Sequence, residues 1–340
     1  MKIARTIFDA IGNTPLVRLN KVTAGVEPQI LAKLEYYNPT GSLKDRILFR
    51  MVENAEQRGE LKPGMTIIEG TTGNTGIATS MVAAVKGYRC VIVMPEGMSI
   101  ERRKIDLAYG AELVLTPGAE SDVDLVLQKV QEIMDAEPGK YWKVGQFENP
   151  DNPQAHYLTT GPEIWDQTDG RVDAVVLSQG TGGTITGVAR FLREKKLSVR
   201  VYAVEPSECP LLSRRRWGMH KIEGIGDGFI PPVLDVSLLD GVVLTTSDEA
   251  VAMARRLARE EGIFCGISSG CNVAAALKVA HRHPELETIV TLINDNGLRY
   301  FSTELCGEPV QLQSPERDHP MDANTQALLD RYQSTWEIIE

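Results

Sequence analysis

Lys44 lies in Asn38-Pro-Thr-Gly-Ser-Leu-Lys-Asp-Arg46, between an apolar stretch over 30–36 and a run whose apolar positions Leu43, Ile47, Leu48, Met51, Val52 and Ala55 recur at helical spacing. The first stretch reads as a strand and the second as a helix, so the lysine falls in that helix's first turn. A cation there opposes the positive end of the helix dipole, which favours the neutral amine. A neutral amine can attack a carbonyl. The segment alone also allows an ordinary surface lysine balanced by Asp45.

Two loops supply what such an amine would need. Gly180-Thr-Gly-Gly-Thr184 follows a predicted strand over 172–177 and opens a predicted helix over 185–195. Its backbone N–H groups can converge on an anion, with the hydroxyls of Thr181 and Thr184 as further donors. A Walker loop would carry lysine after its last glycine, and Thr184 and Ile185 stand there instead. Ile185 also takes the place of the third glycine of a dinucleotide fingerprint, although Glu205, ending the next strand, imitates the ribose-binding acid and keeps a dehydrogenase reading open. The loop could also serve strand-to-helix packing only. Thr71-Thr-Gly-Asn-Thr75 occupies the equivalent place in the first half of the chain. Its hydroxyls, the amide of Asn74 and the N–H groups beyond Gly73 make either a carboxylate cradle or an ordinary capped turn. An amine nucleophile, a carboxylate site and a monophosphate site are joined by one cofactor, pyridoxal phosphate, an aldehyde held by lysine and anchored through its phosphate.

The elements that must position these residues alternate. Strands are predicted over 66–69, 90–94 and 112–115, with helices over 75–86, 100–109 and 123–136 between and after them. The second half repeats the alternation, with strands over 199–204 and 288–293, a helix capped by Ser247 and stopped at Gly262, and a helix over 268–279. Residues 11–19 read as an edge hairpin arm, and Asn149-Pro-Asp-Asn-Pro153 as the boundary between lobes. The pattern predicts an α/β protein of two doubly wound lobes with a cofactor cleft between them, ligands lying at the carboxyl ends of the strands. Residues 40–150 would form the smaller lobe, 1–39 plus 151–307 the larger, and 308–340 a polar tail with a surface helix over 325–332, either docking a partner or simply solvated.

The chain has 340 residues and a net charge of −10 with no basic tract, which makes nucleic acid and anionic membranes poor partners. No apolar run approaches the roughly 20 residues a membrane span needs. The N-terminus is too charged for a signal peptide, so the cytoplasm is expected. Cys90, Cys209, Cys265, Cys271 and Cys306 have no metal-ligand spacing. They are expected to be reduced and mainly buried, with no metal bound.

The motifs carry a family resemblance. Over residues 5–307 the chain resembles the cysteine synthase (O-acetylserine sulfhydrylase) and cystathionine β-synthase family of pyridoxal-phosphate enzymes, fold type II, similar to tryptophan synthase β. The resemblance rests on Ile11-Gly-Asn-Thr-Pro15, Gly41-Ser-Leu-Lys-Asp-Arg46, Gly73-Asn-Thr-Gly76, Met98-Ser-Ile-Glu-Arg-Arg-Lys104, Gly180-Thr-Gly-Gly-Thr184, Glu223-Gly-Ile-Gly226 and Gly266-Ile-Ser-Ser-Gly270. Asn149-Pro-Asp-Asn-Pro-Gln-Ala-His-Tyr157 and Glu261-Gly-Ile-Phe-Cys-Gly266 look most like the B isozyme group.

The resemblance implies that Lys44 is the Schiff-base lysine and general base, and that Asn74 partners the ring hydroxyl. Gly180, Thr181, Gly182, Gly183 and Thr184 would hold the phosphate, and Ser268 would face the pyridine nitrogen. Thr71, Thr72, Gly73, Thr75 and Gln146 would take the substrate carboxylate, drawing the smaller lobe over the cleft. A hydroxyl cannot keep the ring nitrogen protonated as aspartate would, which favours β-elimination and replacement over transamination. The implied activity is β-replacement, making L-cysteine from O-acetyl-L-serine and a sulfur nucleophile, sulfide or thiosulfate, through an aminoacrylate intermediate, in a homodimer. Serine, O-phosphoserine or cysteine as donor remain alternatives. So does a catalytically silent binding member, against which intact Lys44, Asn74 and Ser268 argue. The chain departs from the family pattern at Thr72, where serine is usual, at Asp227, and in Ser213-Arg-Arg-Arg-Trp217. Arg216 and Asp227 could select an anionic leaving group or an acidic thiol, or the arginines could be a solvated loop paired with Asp227.

Overall fold

The computed structural model describes residues 3–118, 122–307 and 320–340. Strand β1 (Leu16–Arg18) pairs antiparallel with β2 (Gln29–Leu34), forming the expected arm. A 3₁₀ turn over Glu35–Tyr37 and Gly41, at φ +82°, lead into α1 (Lys44–Gln57), whose Ile47, Leu48, Met51, Val52 and Ala55 are all buried. The helical spacing of those residues is thus spent on one packed face.

The next elements run β3 (Thr66–Gly70), α2 (Asn74–Lys86), β4 (Arg89–Pro95), α3 (Ile100–Ala108), β5 (Glu112–Thr116), α4 (Val123–Ala136) and β6 (Tyr141–Lys143). The four strands form one parallel sheet in the order β5-β4-β3-β6. The chain moves outward from β3 to β5 and returns to β3's other side as β6. That reversal makes a crevice at the carboxyl ends of β3 and β6, and it brings the 71–75 loop beside Gln146.

Helices α5 (Asp151–Leu158) and α6 (Thr160–Gln167) follow, where the sequence had suggested only a break. Pro153 falls in the first turn of α5, where a missing N–H breaks no helical bond, so the proline-rich stretch starts a helix. The second unit contains β7 (Ala174–Ser178), α7 (Gly183–Lys195), β8 (Arg200–Pro206), the single turn α8 (Leu211–Arg214), β9 (Gly241–Thr245), α9 (Ser247–Arg256), α10 (Ile267–Arg282) and β10 (Thr288–Ile293). The N-cap of α9 is Thr246 rather than Ser247: its hydroxyl accepts from Glu249 N while the Glu249 carboxylate accepts from Thr246 N, a capping box. After α9 the chain widens into a π turn that ends at Gly262, φ +72°.

Residues 308–319, part of the expected tail, lie outside the described residues. Residues 320–340 differ from a solvated tail: α11 (Ala323–Tyr332) is followed by β11 (Glu337–Ile339), which pairs parallel with β9. Leu329, Trp336 and Ile339 are buried there. Met321, Leu328, Tyr332 and Ile338 pack beside them, half-buried, and together these side chains dock the segment although polar residues separate them in the sequence. Among the described residues the larger sheet thus has seven strands in the order β1-β2-β10-β7-β8-β9-β11, and the order of connection switches between the parallel neighbours β7 and β10. Of the five cysteines only Cys306 is exposed, and none is paired. Among the described residues no helix is long and apolar enough to cross a membrane.

Candidate active site

Lys44 is the first residue of α1, half-buried, its backbone N–H donating to Ser42 Oγ at 3.3 Å. The loop before it is held by Asp45, which accepts from Thr40 N at 2.7 Å and from the Thr40 hydroxyl, while Arg299 donates to Thr40 O. Burial pushes the Asp45 carboxyl up to about 6, against the Thr40 hydrogen bonds that lower it. Behind Lys44, Arg46 donates to both oxygens of Glu35 and both of Glu163, and Lys33 lies 2.7 Å from Glu163. This buried network ties the start of α1 to β2 and α6.

The glycine-rich loop crosses from β7 to α7. A Cβ on Gly180 would lie 2.5 Å from Gly224 O, and one on Gly183 would lie 1.9 Å from Asn152 Oδ1, so side chains are excluded from both positions. Gly182 has φ +82°. Thr181 Oγ1 accepts from Asn152 Nδ2 at 3.0 Å. The result is a bare backbone cradle at a helix N-terminus, flanked by two hydroxyls, and it suits a phosphate.

At the other wall Thr75 donates to Gln146 Oε1 at 2.6 Å, and Gly73 N donates to Thr71 Oγ1 at 3.0 Å. The turn carrying Gln146 is fixed by Glu69, which accepts from Gly145 N at 2.9 Å. Burial raises that carboxyl to about 8, with the Gly145 and Gln146 amides opposing. Asn74 opens α2, donating to Asp295 Oδ2 at 2.8 Å and accepting from Arg299. Its amide nitrogen therefore retains a second N–H. Ser268, in the first turn of α10, accepts from Asn294 Nδ2 at 3.2 Å.

One cleft collects these residues: Lys44, Thr71, Thr72, Asn74, Thr75, Gln146, Gly180, Thr181, Gly182, Thr184, Asp227 and Ser268 all line it. Gly73 and Gly183 lie within the two loops but off the wall, and their lack of a side chain is what matters: Gly73 packs on Arg102 and Gly183 on Asn152. Arg216 is exposed and does not line the cleft. Arg214 pairs with Glu340, and Arg215 with Asp330 and Gln333, so two of the three arginines clamp the C-terminal segment. Glu205 is fully enclosed, accepting from Leu212 N at 2.7 Å and Ser213 N at 2.9 Å at the start of α8. That engagement removes it as a ribose ligand. Sequence reasoning missed Asn294, Asp295, Arg299 and His156, which orient the lining side chains, because none sits in a motif with its partner.

The two units meet around the cleft through Arg102, which pairs with Glu223 and lies over the Tyr300 ring at 4.7 Å, and through Ser99, whose hydroxyl donates to Arg299 O at 2.9 Å.

Residues 7–295 match the family described as pyridoxal-phosphate dependent enzymes. Cysteine synthase 3 of Caenorhabditis elegans is 49% identical over 300 residues, covering 87% of this chain and 88% of the relative. The chain belongs to the cysteine synthase family of pyridoxal-phosphate enzymes. Cysteine synthase A of Salmonella typhi is 49% identical over 304 residues, with 87% and 93% covered. Among solved structures, the cysteine synthase of Entamoeba histolytica superposes with a TM-score of 0.85 at 42% identity, covering 98% of this chain and 96% of that one. A hydrogen sulfide-producing enzyme of Fusobacterium nucleatum gives 0.84 at 42% identity, covering 88% and 100%. The α/β fold read from the sequence is the fold of this family, and pyridoxal phosphate is its cofactor.

Proposed function

We propose that this enzyme makes L-cysteine from O-acetyl-L-serine and sulfide by β-replacement. The observation that carries the reading is the convergence on one cleft of a lysine amine, a bare anion cradle, a second hydroxyl-rich loop and a serine hydroxyl.

The residues fit pyridoxal phosphate. Lys44 would hold it through its aldehyde, the 180–184 loop through its phosphate, Asn74 through the ring hydroxyl and Ser268 through the ring nitrogen. When bound, the cofactor supplies an electron sink that acidifies the substrate's Cα–H and lets a Cβ substituent depart. Lys44, on the cleft wall, would take that Cα proton as general base. Thr71, Thr72, Thr75 and Gln146 orient the substrate carboxylate, which aligns the Cα–H with the lysine. Because Asn294 donates to Ser268 Oγ, the serine's own hydrogen is left to point into the cleft. With the cofactor bound, Ser268 would donate to a neutral ring nitrogen and could not protonate it, which would restrain the sink and suit elimination of a good leaving group.

The smaller unit, residues 40–150, would close on the larger, 1–39 plus 151–307. The buried contacts of Arg102 and Ser99 across the cleft support closure that excludes water. A homodimer is proposed on the exposed Tyr37, Phe264, Leu298 and Phe301, with the Phe264 and Phe301 rings 6.1 Å apart. A reducing cytoplasm suits five unpaired cysteines, and the acidic net charge leaves small molecules rather than nucleic acid or membrane as ligands.

The donor follows from charge. Arg214 and Arg215 are engaged with the C-terminal segment and Arg216 lies off the wall, so the arginine run brings no counter-charge for a phosphate leaving group. Asp227 on the wall adds a carboxylate. Specificity constants with sulfide should therefore favour O-acetylserine over O-phosphoserine by tenfold or more, on the order of 1.4 kcal/mol. A salt-sensitive preference for O-phosphoserine, lost in Arg216→Ala, would reverse the assignment. Sulfide release from cysteine without activity on either donor would move it to β-elimination.

A further inference from the structure

His156 sits in α5 behind the glycine-rich loop, 1% exposed. Helices α5 and α7 approach so closely that a Cβ on Gly187 would stand 2.7 Å from His156 Cβ and 2.2 Å from Pro153 O. That contact places the imidazole under the first turn of α7. Its Nδ1 lies 2.9 Å from Thr160 Oγ1 and its Nε2 lies 3.1 Å from Thr184 Oγ1. Thr184 is half-buried and lines the cleft.

Burial lowers the imidazole's pKa to about 3, with Arg46 and Lys44 adding to the effect and Glu35 and Glu163 opposing it, so the ring is neutral at working pH. A neutral ring has one N–H and one lone pair. With the proton on Nδ1, Nε2 takes the Thr184 hydroxyl hydrogen, and Thr184 turns oxygen lone pairs towards the anion cradle. With the proton on Nε2, the ring donates to Thr184 Oγ1, Thr160 donates to Nδ1, and the Thr184 hydrogen is available to the anion. A doubly charged phosphate favours only the second arrangement.

We propose that His156 is a positioning residue of the phosphate site, carrying its proton on Nε2 and thereby presenting the Thr184 hydroxyl hydrogen to the cofactor phosphate. The inference rests on reading residues 180–184 as the phosphate loop.

The holoenzyme labelled with ¹⁵N-histidine gives the tautomer directly by long-range ¹⁵N–¹H correlation, with the His156 signals assigned by their loss in a variant. The Nε2–H form is expected, and an Nδ1–H form overturns the proposal whatever the variants do. Glutamine places an amide near the position of Nε2, whereas asparagine places one near Nδ1. His156→Gln should keep the cofactor dissociation rate within about threefold of wild type and leave the bound phosphate's ³¹P resonance in place. His156→Asn should raise that rate about tenfold or more, the effect expected of one lost charge-assisted hydrogen bond. Thr184→Ala should match His156→Asn, with no further loss in the double variant. If Thr184→Ala leaves dissociation unchanged, Thr184 does not hold the phosphate and the loop reading itself fails there. If Thr184→Ala loosens the cofactor while the glutamine and asparagine variants behave alike, the loop reading stands and the role given to His156 does not.

Discussion

Replacing Glu163 with glutamine tests how the lysine-bearing helix is held. Lys33 and Arg46 face Glu35 and Glu163 in a buried network whose charges balance. The Lys33 side chain is 0% exposed and that of Glu163 15%. Burial alone would raise the Glu163 carboxyl, but hydrogen bonds and charge from Arg46, then Lys33, bring it from 4.5 down to about 2. A carboxyl depressed by that much contributes about 3 kcal/mol at neutral pH. Removing one partner of a buried pair independently costs about 3–5 kcal/mol. Spread over a chain of this length, about 3 kcal/mol lowers the melting temperature by about 4 °C. Because the folded pKa is the lower one, this stability is fully present above the unfolded value near 4.5 and is lost as pH falls towards about 2. Thermal melts of wild type and Glu163→Gln should therefore differ by a constant amount from pH 8 to 5, with the gap narrowing below. Adding Lys33→Met removes the surplus cation, so the double variant should recover much of the loss. A Glu163→Gln melt within 1 °C of wild type, or a double variant less stable than the single, would refute charge balance as what holds this end of α1.

Two further outcomes follow from the cleft. Ser268→Asp should slow β-replacement and shift the visible spectrum of the holoenzyme, because a carboxylate at hydrogen-bonding distance from the ring nitrogen favours its protonation by several kcal/mol even at an effective dielectric of about 20; an unchanged spectrum and rate would mean Ser268 does not face the ring. Gly183→Ala, whose Cβ would stand 1.9 Å from Asn152 Oδ1, should loosen the cofactor at least tenfold in equilibrium dialysis, roughly 1.4 kcal/mol, while Gly110→Ala, with nothing within 4 Å but φ +85°, should cost stability and leave cofactor affinity alone.

Strands β3, β4 and β5 and the helices that follow them were readable almost residue by residue because these strands are short apolar runs and the helices carry a helical apolar period, both local properties, whereas β6, only three residues long, was not read. Helices α5 and α6 were not, since Pro150 and Pro153 look like punctuation until the structure shows Pro153 in a first helical turn. The C-terminal segment was legible only in part: its helix was read over 325–332 and is found at Ala323–Tyr332, but its docking was not, because Leu329, Trp336 and Ile339, with Met321, Leu328, Tyr332 and Ile338 beside them, are interrupted by polar residues. In the cleft, each loop taken alone could have been a packing turn or a capped turn, and it was the two together with Lys44 that pointed to one cofactor. Their supports gave no such signal. Asn74 meets Asp295 across 221 residues of chain, and Thr184 meets His156 across 28, so only the folded topology brings them together.

Borohydride reduction of the holoenzyme followed by peptide mass mapping tests most directly whether Lys44 is the residue that holds the cofactor. Reduction makes the lysine linkage permanent, and the pyridoxyl group should be found on the peptide containing Lys44 and on no other lysine. A label on a different lysine, or none from protein that has demonstrably bound pyridoxal phosphate, would contradict the assignment of the cleft.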